Sequence, residues 1–405
     1  MRAKTKRLGS LALLLACFGC SDPGPGESGV GIDRSGSTNQ PGREGRNDSK
    51  KSDPGRQLEP SDREPTVLDV AISECAPLIF DSCEIVYPAG AISALHRLQK
   101  IGPRWLAEGV WDSGFVVFDA DGGDASEALV TTGTLDRAAP SAKDIHVATI
   151  VDGRLVHQSY DASGNRRGDA VLVSDETPDE IAIARLDDAS LVVWATPTDV
   201  VARGIGDASG LAEPFHLETD VWKDGFRVSV IKNSDDELAI AWSDRRVADS
   251  HHRVFFVRAD GSGVRGLPRI LFDSLVPHRV VDLQRTIDGF ALLLEEGDDA
   301  LVVPLTEWGD RAGTSYRFLG LSRVYGLAVH TSGEMLLAAL RDDGRDAVLR
   351  LDPSGAPRGR WMCLDTHASA KEHSIGLDAT EKGYAVLFRS PLEQQLLFRL
   401  SVAGP

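Results

Sequence analysis

Phe226-Arg227-Val228-Ser229-Val230-Ile231-Lys232, Leu238-Ala239-Ile240-Ala241-Trp242, Arg253-Val254-Phe255-Phe256-Val257 and Leu267-Pro268-Arg269-Ile270-Leu271-Phe272 are four short apolar runs within Phe226–Ser274. Between them lie Asn233-Ser234-Asp235-Asp236, Ser243–His252 and Asp260-Gly261-Ser262-Gly263. Runs rich in β-branched and aromatic residues, separated by clusters of Asp, Asn, Gly and Ser, mark strands joined by turns. The stretch therefore reads as four antiparallel strands in about 50 residues.

The same pattern recurs on both sides of this stretch. An alternating apolar run that ends in Asp or a substitute and is followed by Gly occurs at Asp119, Asp161, Asp207, Asp260, Glu307, Asp352 and Ser401, with a mean spacing of 47 residues. A second turn precedes each of most of these, at Gly102, Asp188, Asp236, Gly289, Gly333 and Gly383. Near-continuous apolar runs follow it: Leu191–Trp194, Leu238–Trp242, Phe290–Leu294, Met335–Ala339 and Tyr384–Phe388. Such runs suit strands covered on both faces. A period in this range with four strands per unit predicts an all-β chain folded as a β-propeller. Seven blades fit best, with six or eight left open by Ser82–Arg104 and by the short repeat around Asp161, whose innermost strand has no clear signal.

The last repeat supplies three strands, Ile375–Ala379, Tyr384–Phe388 and Gln395–Leu400, and leaves an edge that sheets avoid exposing. Pro77-Leu78-Ile79-Phe80-Asp81-Ser82 looks like the outer strand Pro268–Ser274, so Pro77–Asp81 is expected to supply the missing fourth strand and close the ring.

The N-terminus reads differently. Met1–Cys20 has a basic start and a short apolar core, Leu11–Ala16, too short to span a bilayer. Leu14-Leu15-Ala16-Cys17 resembles the lipobox of bacterial lipoprotein signal peptides. The resemblance implies cleavage after residue 16 and lipidation of Cys17, with Cys20 as the alternative acceptor. With no Asp after either cysteine, it implies export to the outer membrane or cell surface. Residues 17–66 would be the lipidated cysteine and a Gly/Pro/Ser-rich tether whose only large apolar residues past Phe18 are Val30, Ile32 and Leu58. Such a segment cannot offset its chain entropy by burial, and as a coil it reaches about 35–40 Å. The propeller would occupy 67–405.

The chain carries 61 acidic and 44 basic residues, a formal charge of −17. That balance disfavours nucleic acid and anionic headgroups as partners, because both demand a cationic footprint. The membrane is reached by the lipid anchor only, and a monomer is expected.

Two sets of loops form the ligand-facing rim in propellers of this pattern: those joining second to third strands, and those joining blade to blade. They hold Trp222, Asp244, Arg245, Arg246, Glu295, Asp298, Arg341, Asp342 and Arg389, the candidate ligand-binding residues. The bland alternative is a solvated face that keeps a sheet protein soluble. Trp242-Ser243-Asp244-Arg245-Arg246 resembles the Trp-x-Asp-x-Arg ends of second strands in secreted bacterial propellers, where the implied role is structural: Trp between blades, Asp–Arg at the turn.

Asp119–Asp124 has the spacing of a weak calcium loop but lacks the distal Glu. The turns at Asp161 and Asp352 distantly resemble sialidase Asp-boxes without their flanking Ser and aromatic pattern. Adjacent His251 and His252 point oppositely in an extended segment, and His367 and His373 share one loop. No metal, cofactor or catalytic set follows from these. Cys75, Cys83 and Cys363 suit an oxidising compartment; Cys75 and Cys83 could pair with each other only if the chain doubles back between them, and otherwise either could reach Cys363. The resemblance to bacterial propeller lipoproteins thus implies an envelope-anchored binding platform for a polar ligand, glycan or protein. A glycan-acting hydrolase or lyase on the rim and a purely structural envelope protein are the rivals.

Overall fold

The computed structural model describes residues 66–71, 73–77, 82–86, 95–101, 104–109, 114–119, 129–130, 136–141, 143–206, 210–219, 221–234, 236–246, 250–363, 375–389 and 395–401. Among these residues there are strands and turns and no helix. They form seven sheets of four or five strands. The innermost strands are Leu95–Ile101, Asp136–Pro140, Glu180–Arg185, Val221–Ser234, Arg279–Arg285, Leu321–Val329 and Ile375–Ala379, numbered here as blades 1 to 7. Each inner strand packs against the next, and that of blade 7 against that of blade 1, so the sheets stand around a central axis.

The reason for this arrangement lies in the second strands. Leu191–Ala195, Leu238–Trp242, Phe290–Leu294 and Met335–Ala339 are buried along their whole length, because both faces of the sheet meet a neighbour. The apolar core is accordingly divided into clusters that each draw on two adjacent blades. Trp242 and Phe255 of blade 4 share one with Val193 and Ala195 of blade 3, and Phe256 joins Phe290 and Leu292 of blade 5 in another. Further clusters span blades 5 and 6, and blades 6 and 7. At about 25 cal/mol per Å² of apolar surface removed from water, these contacts supply most of the drive for folding. No sheet could bury both faces alone.

Turn chemistry matches the repeat. Asp161 Oδ1 accepts the N–H of Ser163 and Asn165, Asp260 Oδ1 that of Ser262 and Gly263, and Asp352 Oδ1 that of Ser354 and Ala356. In blade 5 the turn is held by Thr306, not by Glu307: Thr306 Oγ1 accepts from Trp308 and Asp310 N–H. In the turns that begin at Asp161, Thr306 and Asp352 the fourth residue adopts positive φ, which Gly164, Gly309 and Gly355 supply.

The closing strand differs from expectation. Ser82–Val86, not Pro77–Asp81, pairs antiparallel with Gln395–Ser401 as the outermost strand of blade 7, with Ile85 opposite Leu396. Pro77 instead pairs with Cys363 in a short parallel addition to blade 6, Ala76–Pro77 beside Met362–Cys363. A second parallel addition, Val67–Val70 beside Ser315–Phe318, extends blade 5. Residues 78–81 lie outside the described ones. The segment therefore covers the outer edges of two blades before completing a third, which removes open edges that would otherwise recruit other strands. A Cys75–Cys363 disulfide, with Cα atoms 5.4 Å apart, fixes the segment to blade 6. The inner strand of blade 2, without a clear signal in the sequence, is Asp136–Pro140.

Candidate functional site in the central channel

Of the rim candidates, four are brought together at the outer end of the second strand of blade 4. Trp222 lies opposite Arg245, Val221 opposite Arg246, and Asp244 opposite Arg253. The side chains of Trp222, Arg246 and Arg389 lie outside what the structure describes. Asp244 is 1 % exposed and Arg341 7 % exposed, so neither offers its side chain to a ligand at an open rim. Arg341 is a clamp: its guanidinium donates to Ser73 O at 3.0 Å and Cys75 Sγ at 2.8 Å, and it pairs with Asp343 at 3.2 Å. Trp242 is fully buried and stacks on Phe255 at 5.0 Å, the structural role its motif implied. Glu295 faces Arg279 at 3.8 Å, Asp342 accepts from Ser322 Oγ at 3.0 Å, and the Asp298 carbonyl accepts from Leu321 N–H at 2.7 Å. The first two contacts lie within blades 5 and 6, and the third joins blade 5 to blade 6. The loop histidines His367 and His373, residues 120–124 of the calcium-like loop and both candidate lipidation cysteines lie outside the described residues.

What the sequence reading missed lies on the inner strands. All seven contribute to one cavity of about 940 Å³ along the axis. Among the described residues, seven basic side chains line it (Arg97, Lys100, Arg137, Lys143, Arg185, Arg227, Lys232), and seven acidic ones (Glu108, Asp144, Glu180, Asp187, Asp188, Asp282, Asp378). In a chain of formal charge −17 this balance is local. Several of the charges are paired across blades. Glu180 lies 3.1 Å from Arg137 and 3.6 Å from Arg227, Arg137 lies 3.7 Å from Glu108, and Lys232 lies 2.6 Å from Asp187. Asp144, 3.6 Å from Arg185, is held below the usual carboxylate range by Ser141, His146 and Arg185 against the opposing effect of burial.

Two inner-strand aspartates repeat one device. Asp282 Oδ1 accepts from Leu283 N–H at 2.9 Å, while Oδ2 accepts from Gln284 Nε2 at 2.9 Å and from Leu327 N–H of the next blade at 3.2 Å. Asp378 Oδ1 accepts from Ala379 N–H at 2.8 Å, while Oδ2 accepts from Lys100 N–H of blade 1 at 2.6 Å. Ser229 plays the same part from blade 4, its Oγ accepting from Leu283 N–H at 3.1 Å. Bulges between Val280 and Asp282 and between Val324 and Gly326 interrupt the inner strands here, and the side chains pair backbone groups that the bulges leave open. Burial raises both carboxyls, Asp378 to about 6, against the charge of Arg97 acting on each. A legible signal existed. An acid set within an apolar strand, as in Val280-Val281-Asp282-Leu283 and Gly376-Leu377-Asp378-Ala379, demands a partner when buried.

Deeper between blades 2 and 3 sits a buried polar cluster. His146 Nδ1 lies 3.0 Å from His157 Nε2 and 2.9 Å from Ser190 Oγ, and His146 Nε2 lies 3.5 Å from Asp144. Ser190 is wholly buried, so this Ser–His–Asp set is closed to any substrate. Among the described residues, no group of three or more His, Cys, Asp or Glu is placed to hold a metal ion.

No protein-family model matches the sequence, and none of the curated proteins matches it. Solved structures do match. The β-propeller domain of Cps50 (Swd1) from Myceliophteria thermophila aligns with a TM-score of 0.50 at 10 % identity, covering 76 % of this chain and 96 % of that one. Hydrazine synthase from Kuenenia stuttgartiensis aligns with a TM-score of 0.51 at 10 % identity, covering 77 % and 97 %. The chain is a β-propeller. At this identity the likeness is one of fold, and the propeller's chemistry rests on its own residues.

Proposed function

We propose that this propeller is an exported, lipid-anchored envelope protein that binds a polar ligand, a glycan or a protein segment, in its central channel. The observation that carries the reading is the cavity of about 940 Å³ with its balanced acidic and basic lining. Its size falls in the range of small-molecule pockets, and such a lining offers hydrogen-bond donors and acceptors on every side. The Cys75–Cys363 disulfide suits an oxidising compartment, in line with the signal-like N-terminus. The catalytic rival is weaker. A general acid needs a carboxyl oxygen turned to its substrate, yet both oxygens of Asp282 and of Asp378 already accept from the protein.

The test is isothermal titration of the chain lacking residues 1–20 against neutral glycans, acidic glycans and short peptides. An Arg227→Glu, Lys232→Glu variant should lose binding while Glu295→Ala on the rim keeps it. Binding abolished by the rim change but not by the channel changes, or no binding by any class, would overturn the reading. For the anchor, Cys17→Ser should abolish incorporation of labelled palmitate and Cys20→Ser should not.

A further inference from the structure

We propose that the channel seats its ligand by a carboxylate group, held on Arg97 at the wall of blade 1. This deepens the reading of the channel as the binding site and rests on it. Of the seven basic residues lining the cavity, four have an acid at hand: Arg137 with Glu180 at 3.1 Å, Arg227 with Glu180 at 3.6 Å, Arg185 with Asp144 at 3.6 Å and Lys232 with Asp187 at 2.6 Å. Arg97, Lys100 and Lys143, all from blades 1 and 2, form no ion pair among the described residues. Arg97 is half-buried in the middle of its strand, whereas Lys100 and Lys143 are exposed. A guanidinium partly withdrawn from water carries five donors that need acceptors. Burial raises the carboxyls of Asp282 and Asp378, and the charge of Arg97 opposes that rise on each without closing a salt bridge to either. The oxygens of those two acids are oriented by other donors, backbone N–H groups and Gln284 Nε2, and not by Arg97. Arg97 is thus a half-buried cation beside the cavity that forms no salt bridge of its own among the described residues.

Three physical limits narrow what fits there. A guanidinium fork matches a carboxylate in bidentate geometry, which a hydroxyl or amide does not reproduce. A dianionic phosphate would meet Asp282 and Asp378 as like charges in a site of reduced dielectric, while a single negative charge meets less repulsion. The cavity is much larger than a carboxylate alone, so the rest of the ligand would lie along the paired charges of blades 2 to 4, where hydroxyls or amides find partners. Sugar acids and peptide C-termini share this chemistry.

The experiment titrates the chain lacking residues 1–20 with glucuronate, triglycine, glucose and inorganic phosphate, and repeats each with Arg97→Gln and Arg97→Lys. Binding of glucuronate or triglycine that weakens tenfold or more in Arg97→Gln and less in Arg97→Lys supports the proposal, and the better of the two probes names the source. Glucose binding as tightly as glucuronate, phosphate binding more tightly than either carboxylate, equal binding by both variants and wild type, or no carboxylate binding would each overturn it. The variants' folding is checked by the melting transition, and Arg97→Lys, which keeps the charge, stands in if Arg97→Gln fails to fold. A neutral glycan retained by wild type and Arg97→Gln alike would refute the carboxylate while leaving the channel as the binding site.

Discussion

Asp378 shows how a single residue serves the ring. Its carboxyl joins blade 7 to blade 1 through Lys100 N–H, and burial raises it from the usual 3.8 to about 6, with the Lys100 and Ala379 N–H groups and the charges of Arg97 and Lys100 opposing. A group whose folded pKa is raised holds its proton more tightly folded than unfolded. Its stabilising contribution is therefore full below about 3.8 and is lost as pH rises through about 6. Asp378→Asn should abolish that slope. The melting temperature of wild type minus that of the variant is expected to fall between about pH 4 and pH 6.5, then level off. A difference that is flat or rises over the same range would show that the carboxyl is not buried as described. Such a residue was half legible: an acid inside an apolar strand is visible in the sequence, but the distant N–H it serves is not. Charged loop residues are common carriers of function, yet Asp244 and Arg341 are buried and Arg341 binds the fold to itself.

At the scale of elements, the blade from Phe226 to Ser274 was legible because its middle strand has neighbours on both faces and its turns carry Asp, Ser and Gly. The closing strand was not. Pro77–Asp81 resembles an outer strand, but an outer strand is only half covered and its apolar signal is weak, and the strand that closes blade 7 is Ser82–Val86. The two parallel additions are too short, four and two residues, to show a strand pattern in the sequence, and the groups that hold them, Arg317 on Asp69 and Cys363 on Cys75, lie far along the chain. Turn glycines have a sharper consequence. Gly309 has φ +82° and its missing Cβ would strike the Phe256 ring of blade 4. Gly309→Ala combines a strained backbone with overpacking and should cost about 2–5 kcal/mol, measured by urea unfolding. Gly344, with φ +80° but open space around it, should cost about 1 kcal/mol when changed to Ala. Equal losses at the two sites would mean that blade-to-blade packing at Phe256 is not tight.

The molecule as a whole is a ring of sheets that bury their faces only against each other, with the N-terminal segment fastened over blades 5, 6 and 7. The Cys75–Cys363 disulfide spans 288 residues of sequence. Replacing both cysteines by Ser should lower stability by about 2–5 kcal/mol in unfolding experiments, with no loss under reducing conditions relative to reduced wild type. The most direct test of the closed ring is a cross-link at the seam. Ile85 lies opposite Leu396, and cross-strand partners have Cβ atoms about 4.5–5.5 Å apart. In a Cys83→Ser background, Ile85→Cys with Leu396→Cys should oxidise to an intramolecular disulfide and raise the melting temperature, while Ile85→Cys with Phe398→Cys should not. Failure of the first pair, or equal cross-linking by both, would contradict a propeller closed by its own N-terminal strand.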